Sequence, residues 1–128
     1  MIEKDIRITM EKTKHNDINP QEVINVPDSF FTKIHVDKAL EFENKDFLNL
    51  VCSKVRINGS IRISGIDILD ICRKILYEGY PHSNNYLSNS KSFYSILELK
   101  NFFESKKWKI ESMSVNNSFF NIEAIRTV

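Results

Sequence analysis

The stretch of sequence that decides the fold is VRINGSIRISGID, at residues 55–67. Gly59 can take a left-handed φ at little cost, so it is predicted to end a helix and to redirect the chain. The alternating isoleucines of residues 61–66 predict a buried strand after that turn. Asp67 is then placed to cap a helix over residues 68–78. The stretch therefore predicts the second half of an α/β crossover.

Strands and helices alternate along the rest of the chain. Apolar-polar alternation predicts strands at residues 5–10, 30–36, 108–115 and 119–125, and a shorter one at 22–26. Helical spacing predicts helices at residues 44–55, 68–78 and 95–106, the last opened by a capping box of Ser95 and Glu98. This order predicts a minimal Rossmann-like α/β three-layer sandwich, whose largely parallel sheet is made mixed by a C-terminal antiparallel hairpin.

The bulk composition limits the class of protein. The 128 residues, of which 41% are hydrophobic, suffice for a single domain over residues 1–128. Lysine and arginine number 18 against 17 acidic residues, so the net charge of +1 gives no argument for nucleic acid or an anionic membrane as partner. No signal peptide and no apolar run near the roughly 18 residues that cross a bilayer is visible, so we expect a cytoplasmic protein.

The two cysteines show no metal or disulfide pattern. Cys52 and Cys72 stand in predicted helices, without a CxxC motif or a Cys/His cluster. Both are interpreted as buried small apolar side chains in a reducing compartment. No metal site is predicted.

Four segments resemble one enzyme family in their order and spacing. They are VPDSFFTKIH at residues 26–35, ALEF at 39–42, residues 55–67, and SFYSILELKNFFESKKWKI at 92–110. Together they resemble the C-terminal two-thirds of class I S-adenosylmethionine-dependent methyltransferases, closest to the type 11 branch. The resemblance covers residues 23–126 and leaves residues 1–22 as a divergent N-terminal segment. It implies S-adenosylmethionine (SAM) as cofactor and a sugar or other small metabolite as methyl acceptor.

The cofactor motif of that family is incomplete in this chain. The family holds SAM with a Gly-rich turn after its first strand and an acidic residue at the end of its second. Here no glycine precedes Gly59, and the sequence ahead of Ile24 is expected to be too short for the first strand, its helix and the second strand. The resemblance leaves Asp17, with Glu11 as the alternative, for the adenosine edge. Its cofactor-binding candidates are Asp17, Val36 and Glu41.

Polar residues near the ends of predicted strands are the candidates for chemistry. His35 and Asp37 end one strand, where α/β folds place ligands, and are the candidate catalytic residues. The alternative is a strand-end polar pair or a helix cap. The candidate substrate-binding residues follow the core strand or lie in the long loop after residue 79: Ser64, Asp67, His82 and Tyr86. The alternatives are that Asp67 caps a helix and that the loop residues pin the loop to the body.

Three functions stay open on this sequence. The first is a degenerate methyltransferase-like protein that acts as an oligomer or in a hetero-complex, because a shortened sheet leaves an exposed edge that needs cover. The second is an active methyltransferase whose cofactor site is shortened or completed by a partner chain. The third is a non-catalytic module that binds a nucleotide-like ligand.

Overall fold

The computed structural model describes residues 5–11, 16–40, 43–78 and 92–128. Its strands are β1 (Asp5–Ile8), β2 (Asp17–Ile18), β3 (Phe31–Asp37), β4 (Val55–Ile66), β5 (Lys109–Asn116) and β6 (Phe119–Ile125). Its helices are a 3-10 helix at Pro20–Asn25 and the α-helices α1 (Asp46–Ser53), α2 (Ile68–Glu78) and α3 (Ile96–Ser105).

The six strands form one sheet in the order β2-β1-β3-β4-β6-β5. β1 pairs in parallel with β2 and β3, and β3 with β4, while β6 runs antiparallel to β4 and β5. The predicted α/β fold, with a mixed sheet and a C-terminal antiparallel hairpin, is confirmed. The bounds of α2 and β6 are as predicted. The predicted cap of α3 is also present, since Ser95 Oγ accepts a hydrogen bond from Glu98 N at 3.1 Å.

Residues 20–25 form a helix, and the prediction of a strand at 22–26 is wrong. Pro20 opens the 3-10 helix, and its ring offers no N–H for sheet pairing. The backbone N–H of Asn19 donates to Glu22 Oε1 at 3.3 Å, which closes the first turn. These local hydrogen bonds outweigh the short apolar run of the sequence.

Two strands, β1 and β2, precede residue 24, whereas the prediction was that this part of the sequence is too short for two strands with a helix between them. β2 pairs with β1 through only two residue pairs, Arg7↔Asp17 and Ile8↔Ile18. A connection between parallel strands usually takes about a dozen residues or more. Residues 9–16 suffice here because so little of β2 has to be aligned with β1.

Gly59 does not end a helix, contrary to prediction. α1 ends at Ser53, and β4 runs through Gly59 without a break. The left-handed residue is instead its neighbour Asn58, whose φ is 68°. A Cβ at Gly59 would lie 2.8 Å from the carbonyl oxygen of Thr32 and 2.9 Å from that of Arg56. The position therefore needs glycine for lack of space, where the register between β3 and β4 shifts.

The two faces of the sheet differ in polarity. One face carries buried apolar side chains that pack with α1 and α3 into one core: Ile8, Ile34, Val36, Ile61, Ile63, Ile122, Phe47, Val51, Leu99 and Phe103. Because successive residues of a strand point to opposite faces, the residues between them point away from this core. They include a polar row in register across five strands: Asp17, Arg7, His35, Arg62 and Glu123.

The two cysteines lie in different surroundings. Cys52 is buried in α1, as predicted, and burial raises the pKa of its thiol to about 12. Cys72 is exposed, so the prediction that it is buried is wrong. It follows the buried Ile71 on α2, and one helical residue turns a side chain by about 100°.

Replacing Gly59 with alanine tests the close approach of β4 to β3. We expect Gly59→Ala to lower the free energy of unfolding by about 1–3 kcal/mol, because the new methyl group overpacks two backbone oxygens. Urea denaturation followed by circular dichroism measures this change. Ser60→Ala, one residue further on the polar face, is the control and should change the free energy by less than about 0.5 kcal/mol. Equal stability of Gly59→Ala and wild type would contradict the steric argument.

Candidate functional site

A crevice for ligands is expected between β1 and β3. The chain passes from β1 to β2 on one side and then crosses to β3 on the other, so the order of the strands reverses here. In open α/β sheets, ligands bind outside the carboxyl ends of the strands at such a point. Arg7, Asp17 and Asp37 meet near this position.

One guanidinium links three strands at the crevice. Arg7 donates Nε to Asp17 Oδ1 at 2.9 Å and Nη2 to Asp17 Oδ2 at 2.7 Å, which makes a bidentate pair. Its Nη1 donates to Asp37 Oδ2 at 3.0 Å. The side chain of Asp17 is fully buried. The carboxylate that the resemblance assigned to the cofactor is therefore engaged by Arg7 on both oxygens.

The polar network continues from β3 to β4. The Ser64 hydroxyl oxygen lies 3.3 Å from Asp37 Oδ1. It also lies 3.5 Å from His35 Nε2 and 3.5 Å from the carbonyl oxygen of Val36. A hydroxyl has one proton to donate, and the shortest of these contacts favours Asp37. The structure thus brings the candidates His35, Asp37 and Ser64 together with Asp17.

The surroundings of His35 favour the neutral form of its imidazole. It is partly buried on the polar face, with Arg7 and Arg62 directly beside it on the neighbouring strands. Burial is the main cause that lowers its pKa below 6.5, and the charges of Arg62 and Arg7 act in the same direction. Asp37 opposes them. A neutral imidazole can accept a proton, which a general base requires.

Arg7 was not among the residues that the sequence analysis selected. Its position between Ile6 and Ile8 places it on the polar face of β1, one residue before the strand ends. That alternation was visible in the sequence. The identity of its partners was not, because Asp17 and Asp37 come from two other strands.

Two other candidates lie in different surroundings. Val36 is fully buried, and its side chain belongs to the apolar face rather than to the crevice. Asp67 is buried and caps two helices, because Oδ2 accepts from Asp70 N at 2.9 Å and Oδ1 from Ile96 N at 2.7 Å. The capping role that the sequence predicted for Asp67 is present, and its carboxylate also joins α2 to α3.

The remaining candidates, Glu41, His82 and Tyr86, lie outside the described residues. Their proposed roles stay predictions. In the part of the chain that the structure describes, no group of three or more His, Cys, Asp or Glu residues could hold a metal ion. None of the described helices is long and apolar enough to span a membrane.

A groove runs along the polar face of the sheet beside the Arg7 network. It has a volume of about 300 Å³, and its lining includes Asp5, Arg7, Lys33, His35, Arg62 and Glu123. A second groove of about 380 Å³ shares Asp5, Lys33, Ser60 and Glu123 with it. Within the described part of the chain, neither Lys33 nor Arg62 forms an ion pair. The groove therefore offers the cationic groups of Lys33 and Arg62 beside His35, together with the carboxylates of Asp5 and Glu123.

Comparison with known proteins shows similarity in structure but not in sequence. No protein-family model and no curated protein sequence matches the chain. A SAM-dependent methyltransferase from Archaeoglobus fulgidus has a TM-score of 0.57 at 14% identity, over 88% of this chain and 68% of that one. For one from Thermotoga maritima the TM-score is 0.60 at 12% identity, over 87% and 63%. An O-methyltransferase family protein from Burkholderia thailandensis has a TM-score of 0.60 at 9% identity, over 87% and 35%.

These matches establish the fold. The chain has a SAM-dependent methyltransferase-like fold, as the resemblance of its sequence implied. It spans between 35% and 68% of the length of the three solved structures.

The residues at the crevice do not fit the way that the resemblance implies SAM is held. The carboxylate of Asp17 is paired with Arg7 and its side chain is fully buried, so it has no exposed surface to offer to ribose hydroxyls. Residues 9–16, which connect β1 to β2, contain no glycine that would let the backbone approach a ligand closely. The described part of the crevice therefore holds its carboxylate in a pair with Arg7, and the sequence of the connection lacks the glycine of the family's turn.

The lowered pKa of His35 predicts how stability depends on pH. The folded state favours the neutral imidazole, so the stability that His35 contributes is complete above its unfolded pKa of about 6.5 and is lost as the pH falls through the lower folded value. We expect the His35 signal in an NMR titration to have its midpoint below 6.5. His35→Gln should remove this part of the pH dependence of the free energy of unfolding. The NMR signal that is missing from this variant is that of His35. A midpoint at or above 6.5 would contradict the burial argument.

Proposed function

We propose that this chain is a degenerate methyltransferase-like protein, which acts by association as an oligomer or in a hetero-complex rather than by transferring methyl groups alone. One observation carries the proposal. The carboxylate best placed to hold the cofactor, that of Asp17, is fully buried and bound by Arg7 through two hydrogen bonds.

Freeing Asp17 for a ligand would be costly. A buried charge that loses its partner is strongly unfavourable, because nothing replaces the lost hydration and hydrogen bonds. Arg7 would also lose the link between β2 and β3, since the same guanidinium binds Asp37. Ligand binding at this carboxylate would therefore have to compete with the packing of three strands.

Calorimetric titration with SAM and with S-adenosylhomocysteine tests the proposal. We expect no heat of binding up to millimolar ligand, because Asp17 is engaged and the glycine turn is lacking. The methyltransferase from Archaeoglobus fulgidus, titrated in the same buffer, is the positive control. Micromolar binding by the wild-type chain would contradict the proposal. Asp17→Asn, checked for folding by its melting temperature, would then show whether that carboxylate holds the ligand.

An active methyltransferase completed by a partner chain is the second candidate. It is supported by the neutral His35 next to Asp37 and Ser64, which together could hold and deprotonate a hydroxyl of a sugar or another small molecule. This candidate requires that SAM bind to the complex although it does not bind to the isolated chain.

A module for nucleotide-like ligands is the third candidate, and the groove on the polar face favours it. Lys33, Arg62 and His35, with Asp5 and Glu123 further along, line a space of about 300 Å³, the lower end of the size typical of small-molecule sites. Ammonium and guanidinium groups suit a phosphate, and an arginine can bind two of its oxygens at once.

Adenosine monophosphate tests this groove. A bound phosphate would favour the charged imidazole, so the NMR midpoint of His35 should rise on addition of the nucleotide. Arg62→Ala should weaken binding at least tenfold. Lys100→Ala, on α3 beneath the other face of the sheet, is the matched control and should bind as the wild type does. An unchanged His35 signal at millimolar nucleotide would show that the groove does not bind it. An equal shift with inorganic phosphate would show that the groove recognises the phosphate group and not the nucleoside.

A further inference from the structure

The two edges of the sheet differ greatly in length. β2 forms one edge and is two residues long. β5 forms the other edge, with eight residues of which seven are exposed. An edge strand presents unpaired N–H and C=O groups on its outer side, and these can pair with a strand of another chain. The β5 edge is therefore the one that can accept a partner strand.

The two halves of β5 are protected to different degrees. The first half contains an ion pair between Lys109 Nζ and Glu111 Oε1 at 3.3 Å, and a register shift before Ser112. Charges and bulges are devices that keep edge strands from pairing. The second half, residues 112–116 with the sequence SMSVN, has no charge and keeps a regular register with β6. Only the second half is thus suited to pairing.

Apolar side chains are left uncovered on this second half. Met113 and Val115 lie opposite the buried Ile122 and Phe120 of β6, so they point to the apolar face of the sheet. Yet their side chains remain 45% and 41% exposed. A cavity of about 290 Å³, whose lining includes Met113 and α3, opens beside them. The core of the chain therefore ends at β5 without cover.

We propose that residues 112–116 pair antiparallel with the same segment of a second copy, around a two-fold axis at Ser114. This inference rests on the proposed function and names the partner and the surface of its association. The register places Met113 opposite Val115 of the second copy and Ser112 opposite Asn116 of the second copy. The two-fold axis forms each of these pairs two times. Residues directly opposite in an antiparallel pair share a face, so the apolar side chains meet on one face and the polar ones on the other.

The sequence of the segment favours a second copy over a different strand. Its apolar and polar residues are symmetric about Ser114, so each copy satisfies the other with the same five residues. The chain carries a net charge of only +1, which gives little repulsion between copies. Lys109 and Glu111 lie outside the paired segment, so neither comes opposite a like charge of the second copy. The two sheets would then continue into one another, with the unprotected second half of the β5 edge covered.

Disulfide trapping tests both the partner and the register. The background is Cys72→Ser, which removes the exposed thiol, while Cys52 stays buried. Ser114→Cys should form a cross-linked dimer with oxidised glutathione, because residues opposite each other across the axis have Cα atoms about 5 Å apart, within disulfide range. Ser112→Cys on the same face is the matched control. Its two copies would lie about 14 Å apart, four residues along the strand, and should not cross-link.

Analytical ultracentrifugation of the wild-type chain, which measures its apparent mass, provides the second test. The apparent mass should rise from 15.0 kDa towards twice that value with concentration. Val115→Lys should weaken dimerisation at least tenfold. It should not lower the melting temperature measured at a concentration where the wild-type chain is monomeric, because dimerisation itself raises the melting temperature. Equal cross-linking of Ser114→Cys and Ser112→Cys, or a monomer at millimolar concentration, would overturn the inference. A monomer that binds a different protein would overturn it while leaving the proposed function intact. SAM binding by the chain would contradict that function alone.

Discussion

The hydrogen bonds from the Arg7 guanidinium to Asp17 and Asp37 hold together the first half of the sheet. β2 has only two residues, so its backbone gives few hydrogen bonds to β1. The bidentate ion pair between Arg7 and Asp17 adds a side-chain link between the same two strands. The third bond, to Asp37, reaches the end of β3. The same interaction that positions β2 also occupies the crevice in which related folds would bind a ligand. Structure and function are therefore coupled at one side chain, because an arginine with two buried or partly buried acidic partners cannot be displaced cheaply.

The sheet has one covered face and one polar face. The apolar side chains of four strands pack with α1 and α3, and this burial supplies the driving force for folding. The opposite face carries the row from Asp17 to Glu123 and a groove lined by Lys33 and Arg62. Since its charges need no apolar cover, this face can serve a polar ligand. Association, by contrast, uses the edge at β5, where the apolar core ends uncovered. The two surfaces belong to different elements, so they can be altered separately.

Local patterns in the sequence predicted most of the elements but failed at β2, at residues 20–25 and at Gly59. The bounds of α2 and β6 and the capping of α3 by Ser95 were correct, because periodicity and capping depend on neighbouring residues. The prediction at Gly59 failed because it depends on a distant strand and not on neighbouring residues. Glycine suits both a left-handed turn and a close approach of two strands, and only the position of the Thr32 carbonyl decides between them. In the candidate site, strand ends correctly pointed to His35, Asp37 and Ser64, whereas Arg7 was missed because its partners come from other strands.

The sequence by itself determined most of the strands and helices, that the sheet is mixed, and that a hairpin closes it, since these follow from the spacing of apolar residues along the chain. Only the tertiary structure decided which charges meet. Asp17, Arg7 and Asp37 are separated by 10 and 30 residues along the chain, and their ion network exists because three strands align in one register. The physical reason is that burial patterns depend on a few neighbouring residues, while the partner of a charged group depends on the path of the whole backbone.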